Sequence, residues 1–589
     1  MLNLQHVVLL AMPLVTMALA SPPGETSLET RRAQLNAALA QEWEHELEVH
    51  PEMATYIGDN RFNDRLSDHS AGFYAAELEH AKQTLGLFES IDADGFTVQE
   101  QLNKALMLRS LREHIEAAEF KGWEMPVDQF NGVHLGYAAL PSSTPFRSVK
   151  DYENYLSRLR QMPRVFDEIT ANMQLGLRDG LVPPRYLLEK VAVQAQDIAD
   201  KTLRDSPFTA PVRKFPAGIS EPDQKRLEDA VFAAVQNQVA PAYAAFAAFV
   251  RTQYAPKGRA EYGVWALPQG DARYRLDVRF MTTTDLGPEE IHQMGLKQVG
   301  EIETAMLELA RRQGFSDLAS FNRHIREDRA LYAKSGQQLL DLYQHYTDQM
   351  YARLPQLFGH LPKNKLQVIP MEAFRAADSV PADYSPGAGD GSRPGRINVN
   401  EYDPEHRLLL NVEAIAYHEG IPGHHLQFSI AQELPGLPPF RRFASYNAYS
   451  EGWAFYAERL GKEAGFYQDP YSEYGRLENE MWRSVRLVVD TGVHYKHWSR
   501  QQMVDFFRQH TAMDEPNIQT EVDRYIAWPG QALAYKLGQM KILELRQRAH
   551  DALGDKFDLR AFHDAVLADG PLPLDVLETR INAWIEAQR

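Results

Sequence analysis

Apolar side chains recur at steps of three and four residues through most of this chain, the spacing that gathers them on one face of an α-helix. Leu477, Met481, Val485, Val488 and Val489 form one such stripe. The same periodicity predicts helices over 28–50, 75–119, 149–176, 221–254, 287–312, 335–357, 411–434, 448–464, 470–500 and 529–549. Strand-like runs are confined to 365–370 and 396–400. Pro and Gly cluster at 205–223, 380–395 and 435–439, which predicts breaks between elements. There are no internal repeats. The pattern predicts a mainly α protein with a small β-sheet beside its functional site. The stretch 383–400, rich in Gly, reads as a loop leading into a short edge strand that could hold an extended peptide by backbone hydrogen bonds.

One predicted helix carries unusual chemistry. His418-Glu419-Gly420-Ile421-Pro422-Gly423-His424-His425 places three imidazoles and a carboxylate on a helix whose Val412, Ile415 and Ala416 are apolar. A buried Glu among histidines is costly unless it is paired, protonated or bound to metal. Zinc hydrolases draw two His ligands and a Glu base from His-Glu-x-x-His, where a spacing of four puts both imidazoles on one face. Here Pro422 interrupts that spacing, because it cannot donate to the carbonyl of residue 418 and widens the turn. Reading Pro-Gly as a two-residue insertion makes His424 the second ligand. On an uninterrupted helix His425 would return to the face of His418 instead, so it stays open as the alternative. A third ligand is available at Glu451, 27 residues past His424, beside Gly452, which permits close helix approach. Glu458 lies two turns on, as a fallback ligand or as an acceptor orienting a ligand imidazole. Two His, one Glu and an open position form a recurrent catalytic zinc set, with one Zn2+ per chain and Glu419 as general base.

Further candidates follow. Asp490 and His494 share a helix face and could orient a ligand or touch substrate. Tyr525 and Tyr535 could donate to a tetrahedral oxyanion. Arg393, Arg524 and Lys536 are the cations considered for a substrate carboxylate, Arg suiting that task better than Lys. For each of these, plain packing or surface exposure is the competing reading.

Composition narrows the class. With 80 acidic against 62 basic side chains the net charge is −18, which argues against a nucleic-acid partner. The 589 residues contain no Cys, so disulfides, a catalytic thiol and a Cys-linked lipid are excluded within them, and any metal must rest on His and carboxylates. Residues 1–20 hold an apolar run from Val7 to Leu19, followed by the small-x-small pattern Ala18-Leu19-Ala20. They read as a cleaved export signal with a mature start at Ser21. The expected location is periplasmic or secreted, without a membrane span after cleavage. The remainder, 21–589, reads as one helix-rich domain, with an N-terminal lobe over about 21–360 and a motif-bearing lobe over about 361–589.

The blocks HEGIPGHHLQ, YSEGWAFYAERL, RLVVDTGVHYKHW and RYIAWPGQALAYKLG resemble, in that order, the bacterial family catalogued as domain of unknown function 885. The stretches 51–66 and 390–400 fit the same family. More distantly, the sequence is similar to helical zinc peptidases: thimet oligopeptidase, carboxypeptidase Taq and angiotensin-converting enzyme. That likeness implies a helix-rich, two-lobed body around a deep channel. It also implies a Gly before the second ligand, as Gly423 stands here, and a Tyr-bearing helix near the C-terminus, where Tyr535 lies. The leading expectation is an exported zinc peptidase. The alternatives are a zinc amidase or esterase acting on a small molecule or cell-wall fragment, and a non-catalytic binding protein with a degenerate motif.

Overall fold

The computed structural model describes residues 27–376, 379–389 and 391–589; the expected export signal lies outside them. Helix is the dominant element, as the periodicity predicts. The stripe in 470–500 becomes the helix Pro470–His494, and 287–312 becomes Pro288–Arg312. The two lie against each other, with Val299, Ile302, Met306 and Leu309 packed into one apolar cluster with Met481, Val485 and Val489.

Two predicted helices are divided. The run 75–119 splits into Ala71–Ser90 and Val98–Ala118, because Gly95 takes a left-handed φ of 78° and Thr97 opens the second helix with a capping box to Glu100. The run 411–434 splits into Val412–Glu419 and His424–Glu433. Several helices escape the periodicity, among them Arg185–Ala199, Gly270–Thr282, Glu515–Ala527 and Leu574–Gln588.

The sheet has three strands, β1 (Leu366–Pro370), β2 (Ala382–Ser385) and β3 (Gly395–Val399), in the order β1-β3-β2. β1 runs parallel to β3, and β2 runs antiparallel to it. This corrects the expectation for 396–400. That strand is central, with both backbone edges paired, so it cannot receive a peptide. The edge strands are β1 and β2, and the loop-like composition of 380–395 concealed β2. Ile397 and Val399 of β3 pack on Val412, Ile415 and Ala416, which seats the motif helix on the sheet.

Apolar clusters draw on both sides of position 360. Leu339 and Tyr343 join Ile397 and Ile415, whereas another cluster is built wholly within Leu66–Ala255. Among the described residues no helix is long and apolar enough to cross a membrane.

The Glu451-bearing helix Asn447–Glu463 crosses the Tyr535-bearing helix Ala534–Leu553 at two glycines. A Cβ on Gly538 would stand 1.8 Å from the Ala448 carbonyl oxygen, and one on Gly452 would stand 2.4 Å from Gly538 Cα. Backbone meets backbone there, so no rotamer change relieves the clash. Gly538→Ala should therefore destabilise the protein by about 1–3 kcal/mol or more in denaturant unfolding. Gly300→Ala, mid-helix with open space around its Cβ, should stabilise by about 0.5–1 kcal/mol. Equal midpoints for the two variants would refute the close crossing.

Candidate metal centre

The motif helix ends at Glu419, and the next begins at His424. Between them Gly420 leaves helical geometry at φ −96°, ψ −115°, and the Ile421–Pro422 peptide is cis. Gly423 N–H donates to the Tyr417 carbonyl at 2.9 Å, folding the chain back on the helix it has just left. A Cβ at 423 would lie 2.0 Å from the His418 carbonyl oxygen, so glycine is required by contact alone. Trp453 of the Glu451 helix donates its indole N–H to the Pro422 carbonyl at 2.8 Å and ties the turn down.

This turn brings His418, His424 and Glu451 together, each offering one ligand atom within 4.8 Å of the others. Nε2 of His418 and Nε2 of His424 both stand 3.5 Å from Glu451 Oε2. The imidazole rings are perpendicular, 4.9 Å between centres. Oε2 of Glu451 is buried and has no hydrogen-bond partner. Ligands about 2.0–2.1 Å from a tetrahedral zinc stand about 3.4 Å apart, so the observed spacing is that of a shared cation rather than of direct hydrogen bonds. A buried, unpartnered carboxylate oxygen and two facing imidazole nitrogens form a donor set that fits zinc.

The surroundings orient this set. Glu458 Oε1 lies 2.8 Å from His418 Nδ1, leaving Nε2 to face the cluster. Asn479 donates to the other oxygen of Glu458 at 3.0 Å. For His418, burial opposes the charged form, but Glu451, Glu458 and Glu419 outweigh it and lift its pKa to about 10. Burial likewise opposes ionisation of Glu451, yet His418 and His424 hold that carboxyl well below the usual range. Glu419 shifts the other way: burial foremost pushes its pKa up, Glu451 and Asp383 add to this, and the two histidines oppose it. Its carboxylate has no hydrogen bond to any described residue.

His425 faces away from the cluster. Its Nε2 lies 3.2 Å from the Asn364 carbonyl, its Nδ1 accepts from the Tyr384 hydroxyl at 3.0 Å, and burial lowers its pKa to about 4. It joins the motif to the sheet, and the alternative of His425 as second ligand is corrected. Asp490 and His494 are also placed elsewhere. Asp490 accepts from Tyr274 at 2.6 Å and from Gly530 N–H, while His494 bonds Val264 N–H and the Tyr525 carbonyl. Neither touches a ligand side chain.

The two tyrosines differ. Tyr525 donates to Glu521 and accepts from Arg486 and Trp482 in the core, so its proton is committed. The Tyr535 ring stacks near His418, 6.4 Å between centres, and its hydroxyl accepts from Arg524 at 3.0 Å and Gln531 at 3.3 Å. With both bonds incoming, its own proton stays available as a donor.

Of the proposed cations, Arg393 donates to the Tyr56 carbonyl at 2.7 Å, and Arg524 holds the Tyr535 hydroxyl. Lys536 lines a separate cavity of about 370 Å³ with Arg459, Lys462, Arg476 and Glu480. Asn479, Arg483 and Arg486 were not singled out from the sequence; their available signal was their recurrence at four- and three-residue steps on one buried face of Pro470–His494.

Fold and site together describe a helical protein with a two-His, one-Glu cluster that could hold a metal ion. The sequence matches the family described as bacterial protein of unknown function (DUF885) over residues 51–581, and the chain belongs to that family. The crystal structure of a protein described as a candidate lipoprotein from Colwellia psychrerythraea superposes with a TM-score of 0.90 at 28% identity, covering 95% of this chain and 99% of that one. A candidate lipoprotein of unknown function from Shewanella oneidensis shares the fold at a TM-score of 0.71 and 17% identity, over 94% of this chain and 99% of its own. No curated protein matches the sequence.

Replacing His418, His424 or Glu451 with Ala should strip zinc from the reconstituted protein, whereas His425→Ala should keep it, as read by metal analysis after dialysis. Glu458→Gln should weaken affinity by about 10–100-fold. Zinc must displace the His418 proton, which is held up to a pKa of about 10. Uptake by metal-free protein at neutral pH should therefore release about one proton, and affinity should rise with pH up to that value. Calorimetry in buffers of different ionisation enthalpy measures the release. A pH-independent affinity would remove zinc from the His418 position.

Proposed function

We propose that this protein is a zinc-dependent hydrolase of the bacterial envelope and that its substrates are peptides. The observation that carries the reading is the unpartnered Glu451 Oε2, 3.5 Å from the Nε2 atoms of both His418 and His424. Zinc bound by these three side chains would polarise a substrate carbonyl and acidify a water molecule. Glu419 accepts the water proton as the new C–O bond forms, and returns it to the leaving nitrogen as the C–N bond breaks. Burial raises its pKa above the ordinary carboxylate value, which makes it a stronger base for the first transfer. Glu458 holds His418 in the tautomer that presents Nε2. The free proton of Tyr535 can bond the oxyanion that develops on the substrate carbonyl.

The edge of β2 supports an extended peptide beside the motif, since Tyr384 stacks 6.3 Å from His424 and Asp383 is close enough to bias Glu419. An envelope location is supported by the apolar run before Ser21, and by solved neighbours described as candidate lipoproteins.

Glu419→Gln should retain zinc and lose about 10²–10⁴-fold in turnover on a cleaved peptide. Tyr535→Phe should lower kcat by about 10²–10³-fold with little change in KM. A peptide-library digest, run beside an amide and ester panel, tests the bond. Cleavage confined to small esters or amides would replace the peptidase reading. Zinc-loaded protein that cleaves neither would leave a binding protein.

A further inference from the structure

Three arginines converge on Tyr535. The guanidinium carbon of Arg486 lies 4.4 Å from its ring centre and that of Arg483 lies 5.9 Å away, while Arg524 donates to its hydroxyl. Arg483 is 5% exposed and Arg486 1%, so both charges sit in the interior. Two carboxylates face them. Glu521 stands 3.0 Å from Arg486 and 3.6 Å from Arg524, and Glu458 stands 3.7 Å from Arg483. Glu458 is already engaged by His418 and Asn479. Three guanidinium charges thus share two carboxylates, one of which serves a ligand imidazole.

The donors are short of acceptors as well. Nε and Nη1 of Arg483 and Nη1 of Arg486 are buried without any hydrogen-bond partner. Guanidinium does not lose its proton in a protein, so the charge cannot be relieved by neutralisation. Aromatic faces take part of it, with Trp482 4.3 Å from Arg483 and 4.4 Å from Arg486, and Phe455 5.5 Å from Arg483. A π-face does not satisfy N–H groups that need oxygen acceptors, and leaving them unpaired is costly. The missing complement is an anion with two acceptor oxygens. The Tyr535 ring that these arginines flank is the ring that stacks near His418.

We propose that Arg483 and Arg486 form a carboxylate subsite next to the metal centre. The substrates would then carry a free carboxylate, as at the C-terminus of a peptide. This deepens the hydrolase reading and rests on it for the reaction, but the binding of the carboxylate does not require zinc. The cations singled out in the sequence do not fill this role: Arg393 docks on Tyr56, Lys536 faces another cavity, and Arg524 positions Tyr535.

The test uses full-length, metal-free protein and two probes, N-acetylphenylalanine and its amide, with affinity read by calorimetry. The free acid should bind at least tenfold more tightly. Arg483→Met and Arg486→Met should each abolish that preference while leaving the affinity for the amide within twofold. Arg483→Lys should restore part of it, because the charge returns without the planar donor set. Unfolding midpoints identify a variant that fails to fold, and the other position then carries the test.

Equal affinity of the wild type for acid and amide would overturn the subsite. So would a preference that survives both Met variants, since the carboxylate would then be drawn to the His418 imidazolium. Hydrolysis by the zinc-loaded enzyme separates the two claims. Selective binding without cleavage of any peptide, ester or amide would refute the hydrolase and keep the subsite, whereas equal cleavage of free-acid and amidated peptides would do the reverse.

Discussion

The turn at Gly420–Gly423 must bring two histidines from separate helices to one carboxylate, and the rest of the site depends on how tightly it does so. Gly423 passes so close to the His418 carbonyl that no side chain fits, and Trp453 holds the Pro422 carbonyl from the helix that also supplies Glu451. The element that breaks the motif is therefore bonded to the element that completes it. Neither imidazole can move far without disturbing that bond or the Gly452–Gly538 crossing behind it.

The electrostatics follow from this packing. Bringing His418, Glu451, Glu458 and Glu419 into one interior leaves few charges free to choose their state. Glu458 and Asn479 fix the rear of His418, so its front nitrogen and the unpartnered oxygen of Glu451 converge on a single point. Glu419 shares that environment without any hydrogen bond to a described residue, and burial raises its pKa. Behind Tyr535 the balance is the opposite, with more guanidinium charge than carboxylate. A cation is favoured on one side of this aromatic ring and an anion on the other.

Tyr535 links the two regions. Arg524 and Gln531 both donate to its hydroxyl, which leaves its own proton uncommitted. Tyr525, ten residues earlier, has the same functional group and none of the same freedom, because Glu521 takes its proton. Chemistry at these positions is decided by the neighbours of each hydroxyl, not by the residue type.

The local pattern determined much of this protein. Three- and four-residue periodicity is a property of neighbouring residues, so long amphipathic helices such as Pro288–Arg312 and Pro470–His494 are legible without a partner. So is the insertion at Pro422-Gly423, since a proline without an N–H cannot continue the ladder whatever surrounds it. Glu451 beside Gly452 was legible too, as a carboxylate flanked by a residue that permits close approach. What only the tertiary structure decided are the long-range choices. β3 is central and β2 is the edge, because strand order is fixed by pairing between distant segments. His425 turns to Asn364 and Tyr384, because the sheet lies on that side. Asp490, His494 and Tyr525 serve the core, and Arg483 and Arg486 gather around Tyr535, because burial and charge balance are sums over residues far apart in the chain.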